Sequence, residues 1–570
     1  MADDTPGGDG ADLGSAAAGG PTGHSPAPVR VLLAGEPFAG AARRIAAELA
    51  GETVASRVAD GDPSVWGSAA AGRTGWTALA RRSRPLAGQV AALRERFAVA
   101  GAHRVLLVGT PDAVSAARLV AAHSPDTTRL TALDSADPVQ VAEALSGALD
   151  ETVLVVADPA GDDPVVGAVR HTVAAVLADE IGPASFAART VHVTEPGSPL
   201  DTPDPDGTVV VTLDADVPGR FGALGPLGLV PAGLAGADVA GLLADAVPTE
   251  QALAADDPDN PALLLAGALA AARGSVLVLR DEVRSPAVTA WLGPLLTAAG
   301  LVAVPAGPCE PVPARASAEA GPPGAVEVHA DGTGAVPGPG GGAVRTDAGP
   351  GAAIVLWQVA AALAARVLDA DPFAPAVPTA DPGGPDPEPS FTDGGIAVHA
   401  GDWLPSGVDT VAGALDALAA AAGDGGHLAV SAWLDPESDA SVGVLRGPLA
   451  ERAGLPVAFG WAPGCRAGDT GVPDRAVHCH LTGGGLDGGD PAGDPAGDPV
   501  SGGTMGSPGP GADDPFGAGT APEPSGLASL HAAQARAVVE DQRRRGRPVL
   551  RLHLADRLTG LVTLARAVQN

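Results

Sequence analysis

Short apolar runs alternate with longer segments of helical periodicity over most of this chain. Continuous apolar runs of four to six residues predict strands that are buried on both faces. The segments between them predict helices, and this alternation is typical of a doubly wound parallel sheet in an α/β fold. In the first half of the chain the Val- and Leu-rich runs lie at 104–108, 128–133, 152–156, 190–194 and 208–213.

The same alternation returns later in the chain and predicts a second α/β unit. We therefore predict two subdomains, 28–260 and 261–482, and a C-terminal helix–strand–helix at 527–570 that completes the fold. The apolar runs of the later part lie at 275–279, 301–304, 427–432, 456–459 and 548–554.

Four segments rich in Pro, Gly and Asp interrupt this pattern. Residues 1–27 predict a disordered tail, and 483–526 predict a low-complexity acidic linker. Residues 306–350 and 374–394 predict Pro- and Gly-rich insertions in the second subdomain. The chain has 79 glycines and 56 prolines among 570 residues, so long loops are expected beside the packed core.

The net charge of the chain limits the kinds of molecule that it is expected to bind. The formal net charge is −33, and a surface this acidic repels nucleic acids and anionic membranes. The chain contains no lysine, so its side-chain cations are arginine and histidine. Three scattered cysteines, Cys309, Cys465 and Cys479, indicate no disulfide framework. No signal-peptide or membrane-spanning pattern occurs, so we expect a cytoplasmic protein.

The segment 193–238 carries the most informative motifs. It begins with VTEPGSPL at Val193–Leu200, and the lone cation Arg220 follows in the stretch DADVPGRFG. An apolar segment, GLVPAGLAG, comes next at 228–236. Glycines in such a loop let the backbone approach a ligand closely. Arg220 is therefore a candidate ligand-facing cation.

These motifs resemble the glucose-6-phosphate isomerase family, in particular its Ala-rich bacterial branch. The resemblance implies two sugar-isomerase (SIS) subdomains with the active site in the cleft between them. It also implies interconversion of glucose 6-phosphate and fructose 6-phosphate in glycolysis and gluconeogenesis, without a cofactor, by a protein that is usually a homodimer. Further motifs in the family's order are DPSVWG at 62–67, DPF at 371–373, FGWAP at 459–463 and GRPVLRLHL at 546–554.

Aldose–ketose isomerisation requires a phosphate cradle, and the cradle motifs have changed. By the resemblance, the two cradle loops contain Gly109 and Gly161, and Ala113 and Val114 replace two serines of the first loop. The second loop carries three carboxylates, Asp158, Asp162 and Asp163. Carboxylates facing a phosphate would repel it. The alternatives are a changed ligand, a metal held by the three carboxylates, or a solvated loop that has lost its constraint.

The proton-transfer groups also differ from those that the resemblance implies. Ala298 occupies the position of the family's catalytic Glu, and Asp474 occupies that of its C-terminal lysine. Losing a general base costs about 10²–10⁴-fold in rate. Arg220, next to Gly219, is then the surviving candidate catalytic group, as a cation facing an enediolate. The alternative is a structural arginine that binds loop carbonyls or Asp216.

Three functions stay open at this stage. One is an isomerase of sugar phosphates with weak or no activity, and another is a non-catalytic scaffold or regulator that binds a sugar or a protein. The third is an enzyme acting on an uncharged sugar. No metal site is predicted, because His478 and His480 share one strand face without further ligands at a suitable spacing.

Overall fold

The fold is described by a computed structural model in which helices and strands alternate along the chain. The described residues are 29–124, 129–202, 207–281, 283, 285–307, 310–312, 324–332, 342–374, 386–423, 426–465, 476–484 and 524–569. The strands are β1 (Arg30–Ala34), β2 (Arg104–Gly109), β3 (Leu130–Leu133), β4 (Thr152–Ala157), β5 (Thr190–Thr194), β6 (Val209–Thr212), β7 (Val276–Leu279), β8 (Val302–Pro305), β9 (Ala325–His329), β10 (Gly342–Asp347), β11 (Phe391–Asp393), β12 (Ile396–His399), β13 (His427–Trp433), β14 (Val457–Trp461), β15 (Ala476–Gly483) and β16 (Val549–Leu554).

Helices connect most of these strands, and several begin with proline at the first helical position, where its missing N–H costs nothing. The helices are α1 (Phe38–Gly51), α2 (Val54–Ala59), α3 (Leu79–Arg82), α4 (Arg84–Val99), α5 (Pro111–Ala121), α6 (Pro138–Leu145), α7 (Pro164–Ile181), α8 (Pro183–Ala188), α9 (Pro226–Ala235), α10 (Val239–Ala252), α11 (Pro261–Ala271), α12 (Pro286–Ala298), α13 (Pro350–Leu368), α14 (Val411–Ala421), α15 (Ser441–Val444), α16 (Arg446–Ala453), α17 (Pro524–Arg544) and α18 (Arg557–Gln569).

The described strands form three sheets. Sheet I is parallel, with the order β3-β2-β4-β5-β6. Sheet II has the order β1-β10-β9-β7-β8 and is parallel except for its edge strand β1. Sheet III has the order β11-β12-β16-β15-β13-β14, in which the last four strands are parallel. The predicted α/β class is confirmed, and the chain distributes its strands over three sheets where two had been expected.

Sheet II differs from the sequence-based prediction in two places. β1 belongs to the predicted first subdomain, yet it pairs with β10, where Leu32 lies opposite Arg345. Partners more than 300 residues apart leave no local signal. β9 and β10 lie inside 306–350, which was predicted to be an insertion. Both are short and each contains charged residues, such as Glu327 in β9, so no continuous apolar run marks them.

Sheets I and II share the largest hydrophobic cluster. It joins one face of each sheet to the apolar helices α9, α11 and α13. One described helix, α13, is long and apolar enough to cross a membrane, but 83% of its most apolar window is buried inside the protein. Its Trp357 is 1% exposed, so α13 is a core helix in this fold.

Sheet III has one apolar face and one polar face. The apolar face packs against α14, α16 and α18, while α17 lies on the polar face and also contacts α6 and α7 beside sheet I. A buried ion triad ties the same units together. Arg557 at the start of α18 binds Asp137 at 2.8 Å and Asp439 at 2.9 Å.

Candidate active-site cleft

A cavity of about 780 Å³ opens at the carboxyl ends of the sheet I strands. This is where parallel α/β sheets usually bind ligands. Its walls come from the loops that follow β2, β4, β5 and β6, from the end of α12, and from residues 369–374. The cavity therefore gathers residues from Arg73 to Gly464, which are almost 400 positions apart in the sequence.

Arg220 lies in this cavity on a single 3-10 turn, Gly219–Phe221. Phe221 is fully buried beneath the turn. Its ring centroid lies 4.7 Å from that of Trp76 and 5.3 Å from that of Phe373. Gln358 of α13 donates its amide N–H to the Phe221 carbonyl at 3.0 Å. The turn that carries Arg220 is thus anchored from below by aromatic packing and by one buried hydrogen bond.

The guanidinium of Arg220 makes no hydrogen bond or ion pair within the described part of the chain. The structural alternative was an arginine that binds loop carbonyls or Asp216. Asp216 and its neighbour Asp214 are both held by Arg82, at 3.3 and 2.8 Å. Ion pairing with those two carboxylates keeps the pKa of Arg82 raised, although burial opposes this. Arg220 is therefore left available to the cavity.

The three glycines predicted at the site have different roles. Gly219 lines the cavity, and a Cβ there would come within 2.8 Å of an Asp112 carboxylate oxygen. Gly161 has φ +73°, a left-handed conformation that favours glycine. Gly109 lies behind the cavity wall, where a Cβ would meet the Ala157 carbonyl oxygen at 2.9 Å. Close packing of β2 on β4 explains Gly109, which is not among the lining residues.

The loop after β4 uses carboxylates to satisfy its own backbone. Asp158 is 3% exposed, and its carboxylate accepts the N–H of Asp163 at 3.0 Å. Asp163 in turn caps α7 by accepting the N–H groups of Val165 and Val166. Burial raises the pKa of Asp158, the backbone N–H groups of Asp163 and Gly161 oppose the shift, and nearby Asp163 and Asp162 add to it. The N–H groups of Asp163, Val165 and Val166, at the N-terminus of α7, therefore already bind carboxylates of this chain.

The lining residues are strongly acidic. Arg73 and Arg220 are the two arginines among them, and Arg73 donates to the Phe373 carbonyl at 3.1 Å. Partial burial raises the pKa of Glu195, as expected for a carboxyl group without a cationic partner. The eight carboxylates that line the cavity are Asp112, Asp158, Asp162, Asp163, Glu195, Asp214, Asp369 and Asp371.

Ala298, the residue at the predicted base position, also lines the cavity, at the C-terminal end of α12. Its neighbours along that wall are Thr297 and Pro294, so this wall offers no carboxylate. The predicted C-terminal position, Asp474, falls outside the described residues. No group of three or more His, Cys, Asp or Glu side chains is placed to hold a metal ion within the described ranges.

Comparison with known proteins gives a partial match. No family model matches the chain. Over 143 residues it is 33% identical to the glucose-6-phosphate isomerase of Rubrobacter xylanophilus, and this match covers 24% of the chain and 32% of the relative. The similarity is thus to part of one glucose-6-phosphate isomerase and covers about a quarter of this chain. The chain therefore spans about a third of the length of the curated relative it matches.

Similar solved structures include three α/β proteins. The glucose-6-phosphate isomerase of Chlamydia trachomatis is 17% identical, covers 50% of this chain and 70% of its own, and has a TM-score of 0.41. A hypothetical protein from Thermus thermophilus is 19% identical, with coverages of 61% and 96% and a TM-score of 0.47. A putative phosphosugar isomerase from Silicibacter pomeroyi is 15% identical, with coverages of 58% and 99% and a TM-score of 0.33. The α/β architecture of this chain follows from its own strands and helices.

The structure adds residues that the motif comparison did not single out. Arg73, Asp112 and Asp371 line the cavity beside Arg220. Asp371 belongs to the recognised motif DPF, but its motif gave no indication that it faces a cavity. Arg73 lies shortly before Trp76 of the aromatic cluster in the sequence. This proximity was the signal by which Arg73 could have been recognised as a cavity residue.

Proposed function

We propose that this chain is a glucose-6-phosphate isomerase-like protein whose cleft has little or no capacity to interconvert glucose 6-phosphate and fructose 6-phosphate. The observation that carries the proposal is the lining of the cavity, where eight carboxylates accompany two arginines. The scaffold beneath Arg220 is well packed, so the proposed change concerns the polar groups and leaves the fold intact.

Electrostatics supports weak binding of a phosphate monoester. Two unit charges 4 Å apart repel by about 4 kcal/mol at an effective dielectric constant near 20. A phosphate dianion in the loop after β4 would face Asp158, Asp162 and Asp163. The N–H groups of Asp163, Val165 and Val166, which would otherwise attract an anion, already bind Asp158 and Asp163.

Ala298, at the base position that the family resemblance implies, supports slow chemistry even for a substrate that enters. Proton transfer between C1 and C2 needs a carboxylate within hydrogen-bond reach of the sugar carbons. Ala298 replaces the residue that the family resemblance assigns to this role, and the adjoining end of α12 supplies no substitute. Arg220 can stabilise developing negative charge, but a guanidinium remains protonated and cannot serve as the base.

A second candidate function is binding of a sugar that lacks phosphate. Carboxylates and the unpaired guanidinium of Arg220 are hydrogen-bonding groups that suit hydroxyls, and the carboxylates also suit an amino group. The acidic lining favours this ligand class over sugar phosphates. A non-catalytic scaffold or regulator that binds a sugar or a protein is consistent with the same lining.

The decisive experiment is a dehydrogenase-coupled assay in which purified protein converts fructose 6-phosphate to glucose 6-phosphate. We expect no turnover above that of an Arg220→Ala preparation purified in the same way. Activity that Arg220→Ala abolishes would contradict the proposal, whereas equal activity in both preparations identifies a contaminating isomerase.

A thermal-shift series separates the ligand classes. We expect glucose or glucosamine to raise the melting temperature more than glucose 6-phosphate or inorganic phosphate does. A shift produced by glucose 6-phosphate alone would favour a conventional sugar-phosphate cleft.

We also propose a cytoplasmic homodimer that binds neither nucleic acid nor membranes. Light scattering of the purified protein tests whether it is a dimer.

A further inference from the structure

Helix α17 covers an unusually polar sheet face. In sheet III, Ser431, His480, Arg551 and His399 occupy neighbouring register positions on β13, β15, β16 and β12. None of the four is more than 7% exposed. Polar groups that are buried to this extent need hydrogen-bond partners. These partners determine which protonation states of the side chains are compatible with the docked helix.

The hydrogen bonds of His480 allow only a neutral ring. The indole N–H of Trp433 donates to His480 Nδ1 at 3.1 Å. Indole N–H is only a donor, so Nδ1 must carry no proton. Nε2 therefore carries the proton and donates to the Gln542 side-chain oxygen of α17 at 2.8 Å. A second proton on Nδ1 would place two N–H groups against each other and break the contact with Trp433.

His531 repeats this arrangement from the helix side. Its Nε2 lies 3.3 Å from the Trp433 carbonyl oxygen, which only accepts, so Nε2 is the protonated nitrogen. Its Nδ1 lies 3.1 Å from Ser135 Oγ, and that oxygen also accepts the N–H of Asp137. The Ser135 hydroxyl can then donate its proton to Nδ1. A second proton on Nδ1 would end this donation and force the Ser135 hydroxyl to turn its remaining lone pair toward the ring, beside the N–H of Asp137.

Few carboxylates near this face could compensate an added proton. Asp386 binds Arg551, while Asp137 and Asp439 bind Arg557. The remaining charged or titratable groups near the two rings are mostly cationic. By element, the groups are His531, Arg536, Glu540, Asp541 and Arg543 on α17, His478 and His480 on β15, Arg551 and His553 on β16, His399 on β12, Arg557 on α18, and the loop residues Asp137, Asp386 and Asp439.

The docked helix also supports the cavity wall. Ala535 of α17 packs with Trp433 and Ala462, and the partly buried Cys465 and Val538 pack against them. Gly464 of the same 462–465 segment lines the cavity. Displacement of α17 would therefore remove the packing behind this part of the cleft.

We propose that α17 is an acid-released latch. It stays docked on sheet III while His480 and His531 are neutral, and a second proton on either ring frees the helix and the 462–465 segment that it supports. The latch works by proton uptake alone, so it does not depend on whether the cleft has catalytic activity.

The direction of the pH effect follows from the burial of the rings. Burial lowers the pKa of His480 to about 3 and is the main cause of a lowered pKa at His531. The exposed ring in the released state titrates near 6.5, so released α17 binds protons more readily than docked α17. Docking is fully stable above pH 6.5 and weakens as the pH falls below that value.

Amide hydrogen exchange of the full chain at pH 7.5, 6.5 and 5.5 tests the proposal, with exchange rates corrected for their intrinsic pH dependence. All three values lie above the isoelectric point of about 4.5. Each histidine should raise the opening constant of α17 about tenfold between pH 7.5 and 5.5, so the wild type should change about a hundredfold. Helix α13 serves as the internal reference, because both histidines lie outside its packing.

Variants assign the effect to the two rings. His480→Gln and His531→Gln each retain an acceptor and a donor but cannot take up the proton, so each should change only about tenfold, and the double variant should not change. His103→Gln, at an exposed histidine, should behave as wild type. A wild-type α17 that opens equally at pH 7.5 and 5.5, or an unchanged pH dependence in the double variant, overturns the latch.

A measurement on the wild type decides the question if a variant fails to fold. Histidine ring NMR follows His480 and His531 directly during the same titration. Protonation that coincides with loss of α17 protection supports the latch. Rings that titrate near pH 6.5 while α17 stays protected contradict it.

Discussion

The two sides of the cleft are stabilised by different kinds of interaction. The side that carries Arg220 rests on a packed aromatic cluster, in which Phe221 and Trp76 are almost fully buried. The side formed by the loop after β4 is held together by Asp158 and Asp163, which bind its own backbone N–H groups. The first side presents to the cavity a cation, Arg220, that has no partner among the described residues, whereas the carboxylates of the second side bind backbone N–H groups of their own loop and helix.

Under the proposed function, this difference would let an isomerase-like scaffold persist while its ligand changes. Apolar packing is insensitive to the identity of the ligand, so the aromatic cluster supports the turn whatever the cavity binds. A loop whose N–H groups bind no external anion needs another acceptor for them, and here carboxylates supply it from within the chain.

Removing Phe221 should damage the aromatic side most. Phe221→Ala deletes a fully buried ring and should lower the free energy of unfolding by about 3–5 kcal/mol. Urea unfolding measures the change. Val99→Ala, at a side chain that is 86% exposed, is the control and should stay within about 0.5 kcal/mol of wild type. Equal losses in the two variants would contradict the proposed support of the Arg220 turn.

Asp163 and Asp162 form a matched pair on the polar side. Asp163→Ala removes the cap of α7 and should lower the free energy of unfolding by about 1 kcal/mol. Asp162→Ala removes an exposed neighbouring carboxylate and should have almost no effect on stability. If both variants unfold at the wild-type urea concentration, Asp163 does not act as a structural cap.

Asp158→Asn should stabilise the protein in a pH-dependent way. Burial raises the pKa of Asp158 above its ordinary value of 3.8, so its contribution to stability is complete below pH 3.8 and is lost as the pH rises through the folded-state pKa. Asn keeps an acceptor oxygen for the N–H of Asp163 without the charge. Urea unfolding at several pH values should show a gain at pH 7 that disappears toward pH 4, and a gain that is constant with pH would contradict this.

Arg220→Ala should have the smallest effect on stability. Its guanidinium has no partner within the described part of the chain, so the free energy of unfolding should change by less than about 0.5 kcal/mol. Arg82→Ala is the comparison, because it leaves the ion pairs of Asp214 and Asp216 broken. A large loss with Arg220→Ala would assign that residue a structural role instead.

The local sequence pattern predicted much of sheet I but less of the cleft. The strands at 104–108 and 152–156 were predicted almost to the residue, because long Val and Leu runs have few other structures open to them. Arg220 and Ala298 were assigned by family resemblance, and both line the cavity. The pairing of Arg82 with Asp214 could not be predicted, because it depends on how two distant segments pack.

The sequence by itself determined the α/β class, the family resemblance, the absence of lysine and the acidity of the cradle loops, since each of these resides in short stretches of residues. Only the tertiary structure decided that β1 joins β10, that eight carboxylates converge on one cavity, and that α17 covers a buried polar row of Ser431, His480, Arg551 and His399. These features depend on contacts between residues far apart in the chain. Such contacts are selected by burial of apolar surface and by satisfaction of polar groups in the folded whole.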